Sequence, residues 1–276
     1  MLSAEIVRAC EQAMKEGSSS FYHAFKFLPS PKKEAVFVIY AFCRMIDDAV
    51  DEPEKSIYTL EELEYCLENL DRVEDHHFIW PALKWLFAHF PLTKNPFYTQ
   101  ISGQRMDYVK TAYQSMDELE EYCYRVAGSV GEMLLPILHD QPNHLAMKSG
   151  IALGKAMQIV NIIRDVGADQ KLGRRYIPLD IMTKHGYTQA EFEEKVINWP
   201  FKLLINEMIY IADEWFKEGL KYIHTYPRES AVSIRLAAGY YREITQVIQE
   251  NEYEVFTKRA VVTNTRKGKL FLQLTN

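Results

Sequence analysis

Apolar residues recur three or four positions apart along most of the chain. Over residues 32–52, 96–113, 117–137, 143–170, 199–224 and 229–250 this spacing predicts helices. No useful length alternates apolar and polar residues, so strands are not expected. Breakers separate the helical segments at Pro29, Pro31, Pro53, Pro81, Pro91, Pro96, Pro142, Pro178, Pro200 and Pro227, at intervals of one helix plus a turn. No linker, solenoid-period repeat or low-complexity tract divides the chain, so residues 1–276 are read as one all-α, single-domain helical bundle. The 12 glycines and 11 prolines are few for 276 residues, which favours long helices over turns.

The informative positions are polar ones that interrupt this pattern. In the helix over 32–52, the apolar run Ala35 to Cys43 leads into Arg44, Asp47, Asp48 and Asp51. Asp47 and Asp51 fall about 40° apart on the helix surface, with Arg44 one turn earlier on the same side and Asp48 about 100° from Asp47. Clustered carboxylates repel unless a cation lies between them, and such hard oxygen donors suit Mg²⁺, which keeps waters and shares its other positions with phosphate. Taken alone, the cluster fits a solvated helix end before Pro53 better, because short acidic runs are common. A second pattern favours the metal. Gln158, Asn161, Asp165 and Asp169 succeed one another at spacings of three, four and four. They lie within an arc of about 80° on an otherwise apolar helix. Amides and carboxylates on so narrow a line look like buried polar groups in need of partners. Together the two patterns predict a shared Mg²⁺ and diphosphate site between facing helices. Such a site can ionise an allylic diphosphate, with the resulting carbocation kept from water by an apolar cavity and stabilised by aromatic faces. Phe21, Phe25, Tyr40 and Tyr241 are candidate linings, although each also fits plain core packing.

Composition and charge narrow the alternatives. A net charge of −6 argues against nucleic acid as a partner. The longest apolar run is nine residues, where a membrane span takes about 20, so no transmembrane segment is expected. The N-terminal stretch is charged throughout and has no signal-peptide core, which predicts a cytoplasmic protein. A lipid-like substrate leaves peripheral membrane contact open. Cys10, Cys43, Cys66 and Cys123 show neither zinc-ligand spacing nor a disulfide framework. No GxxxxGK[ST] or GxGxxG motif is present, so no nucleotide cofactor is expected, and the Glu-x-x-His pairs of a di-iron bundle are missing. The basic tail from Lys258 to Lys269 reads either as a solvated end or as an anion-facing one.

Several blocks resemble one family. Cys43-Arg44 before Asp47-Asp48-Ala-Val-Asp51, the stretch from Tyr122 to Gly131, the run from Asn161 to Asp169, and Gly173-Arg174-Arg-Tyr176-Ile-Pro178 are similar in order and spacing to the squalene/phytoene synthase family, most of all to bacterial dehydrosqualene synthases. The resemblance implies an isoprenoid synthase bundle with a central cavity and two or three Mg²⁺ ions bridging a prenyl diphosphate. It implies Asp47, Asp48, Asp51, Asp165 and Asp169 as metal ligands, with Asn161 among them and Gln158 beside it. Arg44 and Arg164 would contact diphosphate, Tyr122 would hydrogen-bond near the leaving group, and Tyr241 would assist. Val126, Ala127 and Gly131 would form a small-residue wall for the prenyl chain, and Gly128 and Gly131 also fit close helix packing. Arg259 and Lys269 would face the diphosphate entrance. The Tyr122 block argues against a head-to-tail prenyltransferase or a terpene cyclase.

The chain departs from the family in two places. Head-to-head members carry His-Ser-Lys-Ser-Phe before the first aspartate helix. Here the block reads Gly17-Ser18-Ser19-Ser20-Phe21, which keeps Ser18, Ser20 and Phe21 as substrate-binding candidates but loses a lysine. The second metal motif also has Ala168 where an acid is usual. With fewer charges to hold a second substrate, the leading expectation is that one farnesyl diphosphate is ionised and captured by water, giving farnesol. The alternative is head-to-head condensation of two farnesyl diphosphates to presqualene diphosphate and dehydrosqualene. A non-catalytic isoprenoid-binding or assembly role is a third reading.

Overall fold

Capping side chains and first-turn prolines set many of the helix boundaries in the computed structural model, which describes residues 2–275. Ser3 accepts from the Ile6 amide at the start of α1 (Ala4–Gly17), and Ser18 accepts from the Phe21 amide at the start of α2 (Ser19–Phe25). After α3 (Lys32–Asp51), Thr59 and Glu62 form a capping box on α4 (Leu60–Glu68). Pro81 and Pro96 stand in the first turns of α5 (Ile79–His89) and α6 (Asn95–Arg105), where an N–H is not needed. A 3₁₀ turn, Met106–Tyr108, extends α6, and a π-helical turn, Tyr124–Gly128, joins α7 (Met116–Cys123) to α8 (Ser129–Leu138). Asn143 caps α9 (His144–Lys171). The short α10 (Leu179–Lys184) and α11 (Gln189–Glu193) precede α12 (Trp199–Leu220), α13 (Arg228–Glu250) and α14 (Asn264–Thr275).

The fold is all-α, as expected, and the described residues contain no strand, only a bridge between Ala112 and Arg175. Every predicted segment holds a helix, with changed limits. The segment 96–113 is helical only to Arg105 before its 3₁₀ turn, and 117–137 is interrupted by the π-helical turn. Pro81, Pro96 and Pro200 begin helices rather than separate them. Helix α1 was not predicted although it is amphipathic; the apolar stripe it buries is narrow, with only Cys10 and Met14 fully covered.

Helix α9 runs through the middle of the molecule, against α8, α12 and α13. Its approach to the π-helical turn and α8 depends on glycine. A Cβ on Gly131 would run into the Gly150 carbonyl, and one on Gly154 into that of Ala127. On the other side of the molecule, the rings of Trp80 and Phe97 pack on Phe42 of α3 at centroid distances of 6.3 and 5.9 Å. Helices α2, α3, α8, α9 and α13, together with the segment leading into α14, enclose a cavity of about 540 Å³, within the usual range for a ligand site.

Candidate active site

The cavity has a charged end and an apolar end. The last two turns of α3 bring Arg44, Asp47 and Asp51 to the charged end, and the second half of α9 brings Gln158, Asn161, Arg164, Asp165 and Asp169. From Asp169 to Gly150 the α9 residues on the cavity wall span 19 positions, or about 28 Å of helix. Val36, Ile39, Leu134, Leu138, Leu153 and Ile234 line the apolar part. The four predicted aromatic residues meet beside the charged end, where Tyr241 reaches Asn161 and Ser18. Phe21 lies 5.1 Å from Phe25, 6.1 Å from Tyr40 and 6.2 Å from Tyr241 between ring centroids. Ser18, Ser20, Tyr122, Val126, Ala127, Gly131 and Arg259 also border the cavity. Gly131 does so while its missing side chain makes room for the backbone of α9, so its smallness is accounted for by helix packing.

Opposed forces act on the carboxylates. Burial pushes Asp47 up to about 7, with Asp51, Asp48 and Asp107 adding to the shift and Arg44 opposing it; its Oδ1 accepts from Gln104 Nε2 at 2.5 Å. Asp51 pairs with Arg174 at 2.5 Å. On α9, burial again works against the charge of Asp165, but Arg164 and Arg259 outweigh it and hold the carboxyl below its usual range. Arg164 reaches Asp165 at 2.9 and 2.5 Å, and Arg259 at 2.8 and 3.3 Å. Asp169 is pushed up to about 7 by burial and then by Asp165, Asp51 and Asp107, against Arg174. The effect of Asp51 on Asp169 reflects how the two aspartate helices face each other.

Two predicted residues are corrected. Asp48 is paired with Arg44 and is not among the cavity-lining residues, because it sits about 100° round the helix from Asp47. Lys269 is exposed on α14, whereas Lys267, one helical face away, is 4% exposed and lines the cavity. Lys267 Nζ donates to Ser19 Oγ at 2.7 Å. The lysine missing from the block before α3 is therefore matched by one from a position 248 residues later. Gln100, Gln104, Asp107, Arg174 and Tyr176 also line the site and were not predicted as site residues. Arg174 and Tyr176 stand in a family-like block, so a signal existed for them. Gln104 and Asp107 are lone polar residues near a helix end and carry none.

The donor set fits Mg²⁺. Asp47, Asp51, Asp165 and Asp169 present hard oxygens from two sides, and the buried Asn161 Oδ1 makes no hydrogen bond. Among the described residues, no three His, Cys, Asp or Glu side chains sit close enough to hold an ion by themselves. An ion held there would complete its shell with waters and diphosphate oxygens.

The chain is similar to known proteins over nearly its whole length. The profile of the squalene/phytoene synthase family matches residues 14–266. A phytoene synthase from Arthrospira platensis is 35% identical, over 94% of this chain and 88% of its own. A 15-cis-phytoene synthase from Synechococcus elongatus is 32% identical, over 95% and 90%. The crystal structure of a dehydrosqualene synthase in complex with ligand superposes with a TM-score of 0.91 at 33% identity, covering 98% of this chain and 95% of that one.

These relatives overturn the leading expectation from sequence, hydrolysis of one farnesyl diphosphate to farnesol. They are named as synthases and favour the alternative, head-to-head condensation. The physical fault lay in counting cations locally. The charge lost at Ser19 is present in the fold as Lys267, beyond the reach of a motif read along the chain.

Proposed function

Because the chain belongs to the squalene/phytoene synthase family, we propose that it joins two allylic prenyl diphosphates head to head as a Mg²⁺-dependent transferase. One observation carries this reading: a long apolar cavity ends in two facing aspartate helices surrounded by Arg44, Arg164, Arg174, Arg259 and Lys267. A dianionic or trianionic head on each of two substrates needs that many cations, and planar guanidinium groups suit phosphate oxygens.

Bound Mg²⁺ supplies neutralisation of the charge that develops on the departing diphosphate. Asp47, Asp51, Asp165, Asp169 and Asn161 would hold it, with Gln158 in support and Gln104 orienting Asp47. The cations hold the diphosphates at the charged end, Ser18 and Ser20 border them, and the prenyl chains lie along Val126, Ala127 and Gly131. Phe21, Phe25, Tyr40 and Tyr241 face the carbocation and keep water from it. Farnesyl diphosphate is the first substrate to offer. No helix among the described residues is long and apolar enough to cross a membrane; we place the enzyme in the cytoplasm, drawing its lipid-like substrate through peripheral contact with a membrane surface. Purified protein incubated with Mg²⁺ and farnesyl or geranylgeranyl diphosphate, followed by chromatography of the extract, tests this. A cyclopropyl diphosphate or a condensed hydrocarbon is expected, and prenyl alcohol as the sole product from both substrates rejects it.

A further inference from the structure

Asp107 lies in the 3₁₀ turn after α6 and lines the cavity, yet the roles assigned above leave it unused. It is 7% exposed. The Tyr122 hydroxyl donates to its Oδ2 at 2.9 Å, and the hydroxyls of Tyr122 and Tyr176 stand 3.3 Å apart. A phenol has a single proton to give. The Tyr122 hydroxyl is within donating reach of both Asp107 and Tyr176; in the arrangement that serves Asp107, the bond between the phenols runs from Tyr176 to Tyr122. One oxygen lone pair of Tyr122 is then spent on Tyr176 and one remains. The rings of Tyr113, Tyr122 and Tyr176 pack together at 5.1 to 5.6 Å, which holds the relay in place. Asp107 Oδ1 is buried and makes no hydrogen bond. Burial raises this carboxyl to about 6, opposed by Arg174 and both phenols and assisted by Asp51.

We propose that Asp107, acting through Tyr122, receives the proton that head-to-head condensation releases. The inference rests on the condensing function argued above. In that reaction C1 of the ionised prenyl group bonds to C2 of the second substrate's C2=C3 double bond, leaving a cation at C3. Breaking a C1–H bond supplies the electron pair that closes the ring between C1 and C3. The proton passes to the free lone pair of Tyr122 while the Tyr122 proton passes to Asp107 Oδ2. The phenol is restored and Asp107 ends as a neutral acid. Tyr122 is the group that meets the substrate, and Asp107 positions and drains it.

The test compares wild type, Asp107→Asn, Tyr122→Phe and the double variant, each with Mg²⁺ and whichever prenyl diphosphate the wild type consumes. Diphosphate release, cyclopropyl diphosphate and prenyl alcohol are measured separately, and Mg²⁺ is titrated. Asp107→Asn is expected to lower condensation by about 100-fold or more, to lower diphosphate release far less, and to raise the alcohol share. The double variant should condense no worse than Tyr122→Phe. Should Asp107→Asn fail to fold, Tyr176→Phe keeps the carboxylate and must shift the partition in the same direction. Equal loss of release and condensation overturns the proposal, as does a sharply raised Mg²⁺ requirement, which would make Asp107 a metal ligand. A wild type that condenses beside an equally competent Asp107→Asn overturns the relay alone. A wild type that condenses nothing overturns the function and the relay together.

Discussion

Helices α3 and α9 each bring two aspartates, four residues apart, to the same cavity, and hold the members of each pair in opposite ways. On α3, Asp51 is paired with Arg174 while Asp47 is half-buried, touched by the neutral Gln104 and raised to about 7. On α9, Asp165 is gripped by Arg164 and Arg259 while Asp169 is raised to about 7. Each helix therefore presents one carboxylate with a cation already in place and one strained by burial and like charge. The first kind lends out an arginine, which a diphosphate can draw toward itself. The second kind gains most from a divalent ion, which discharges it. Each side counts two arginines, but on α9 both Arg164 and Arg259 grip Asp165, whereas on α3 Arg44 is held by Asp48 and Arg174 by Asp51.

The strongest way to break this comparison is to remove a raised aspartate. Asp47→Ala and Asp169→Ala should each lower Mg²⁺-dependent diphosphate release by about 1000-fold, at the upper end of the cost of removing one electrostatic contributor to a transition state. Near-normal release from either variant would mean that the two helices do not share the ions. Lys267→Ala comes next, with an expected loss of about 100-fold in condensation, since a buried ammonium next to diphosphate is a charge-assisted donor. Lys269→Ala, on the exposed face of α14, is the internal control and should behave as wild type. If the effects of these two lysine substitutions were reversed, the orientation of α14 described here would be wrong.

That pair of lysines also marks where sequence reasoning reaches its limit. Asp47, Asp51, Asp165 and Asp169 could be found because each pair repeats once per helical turn on an apolar helix, a pattern that only a shared face explains. Arg44 and Arg164 could be found as their neighbours. Which lysine of the tail enters the cavity depends on the rotational setting of α14, a short helix with sparse apolar positions, and on a contact with Ser19 at the other end of the chain. Asp107 and Gln104 depend on where α6 ends, and the apolar spacing continued past that point to 113. The helical class, the long helices and the aspartates were thus legible. The cation count was not, and the wrong reaction followed from it.

A smaller effect sharpens the comparison through stability. An unfolded aspartate loses its proton near about pH 4, whereas Asp47 and Asp169 retain theirs up to about 7 in the folded protein. Between those limits the folded state binds more protons than the unfolded one, so these two residues make stability fall as pH rises. Asp165, held low by its arginines, acts in the opposite sense, and its contribution is lost as pH drops through its folded value. Asp47→Asn and Asp169→Asn should therefore raise the thermal midpoint of the metal-free protein at pH 8 by a few degrees, roughly the response to about 1 to 2 kcal/mol in a chain of this size. The gain should shrink toward pH 5. A midpoint lowered at pH 8 would show that neither carboxyl is under the predicted strain.

The smallest expected effect belongs to Asp48, whose position in the motif made it look equal to its neighbours. It lies outside the cavity, over a third of its side chain is exposed, and its partner is Arg44 one turn earlier on the same helix. A partly exposed pair of this kind is worth about 0 to 1 kcal/mol. Asp48→Asn should leave the Mg²⁺ requirement unchanged and alter diphosphate release by no more than about threefold. Any change should be a slight strengthening of Mg²⁺ binding, for two reasons: Asp48 is one of the charges that raise Asp47, and its loss frees Arg44 for diphosphate. A large rise in the Mg²⁺ needed for half-maximal release would return Asp48 to the metal site and remove the asymmetry drawn between the two helices.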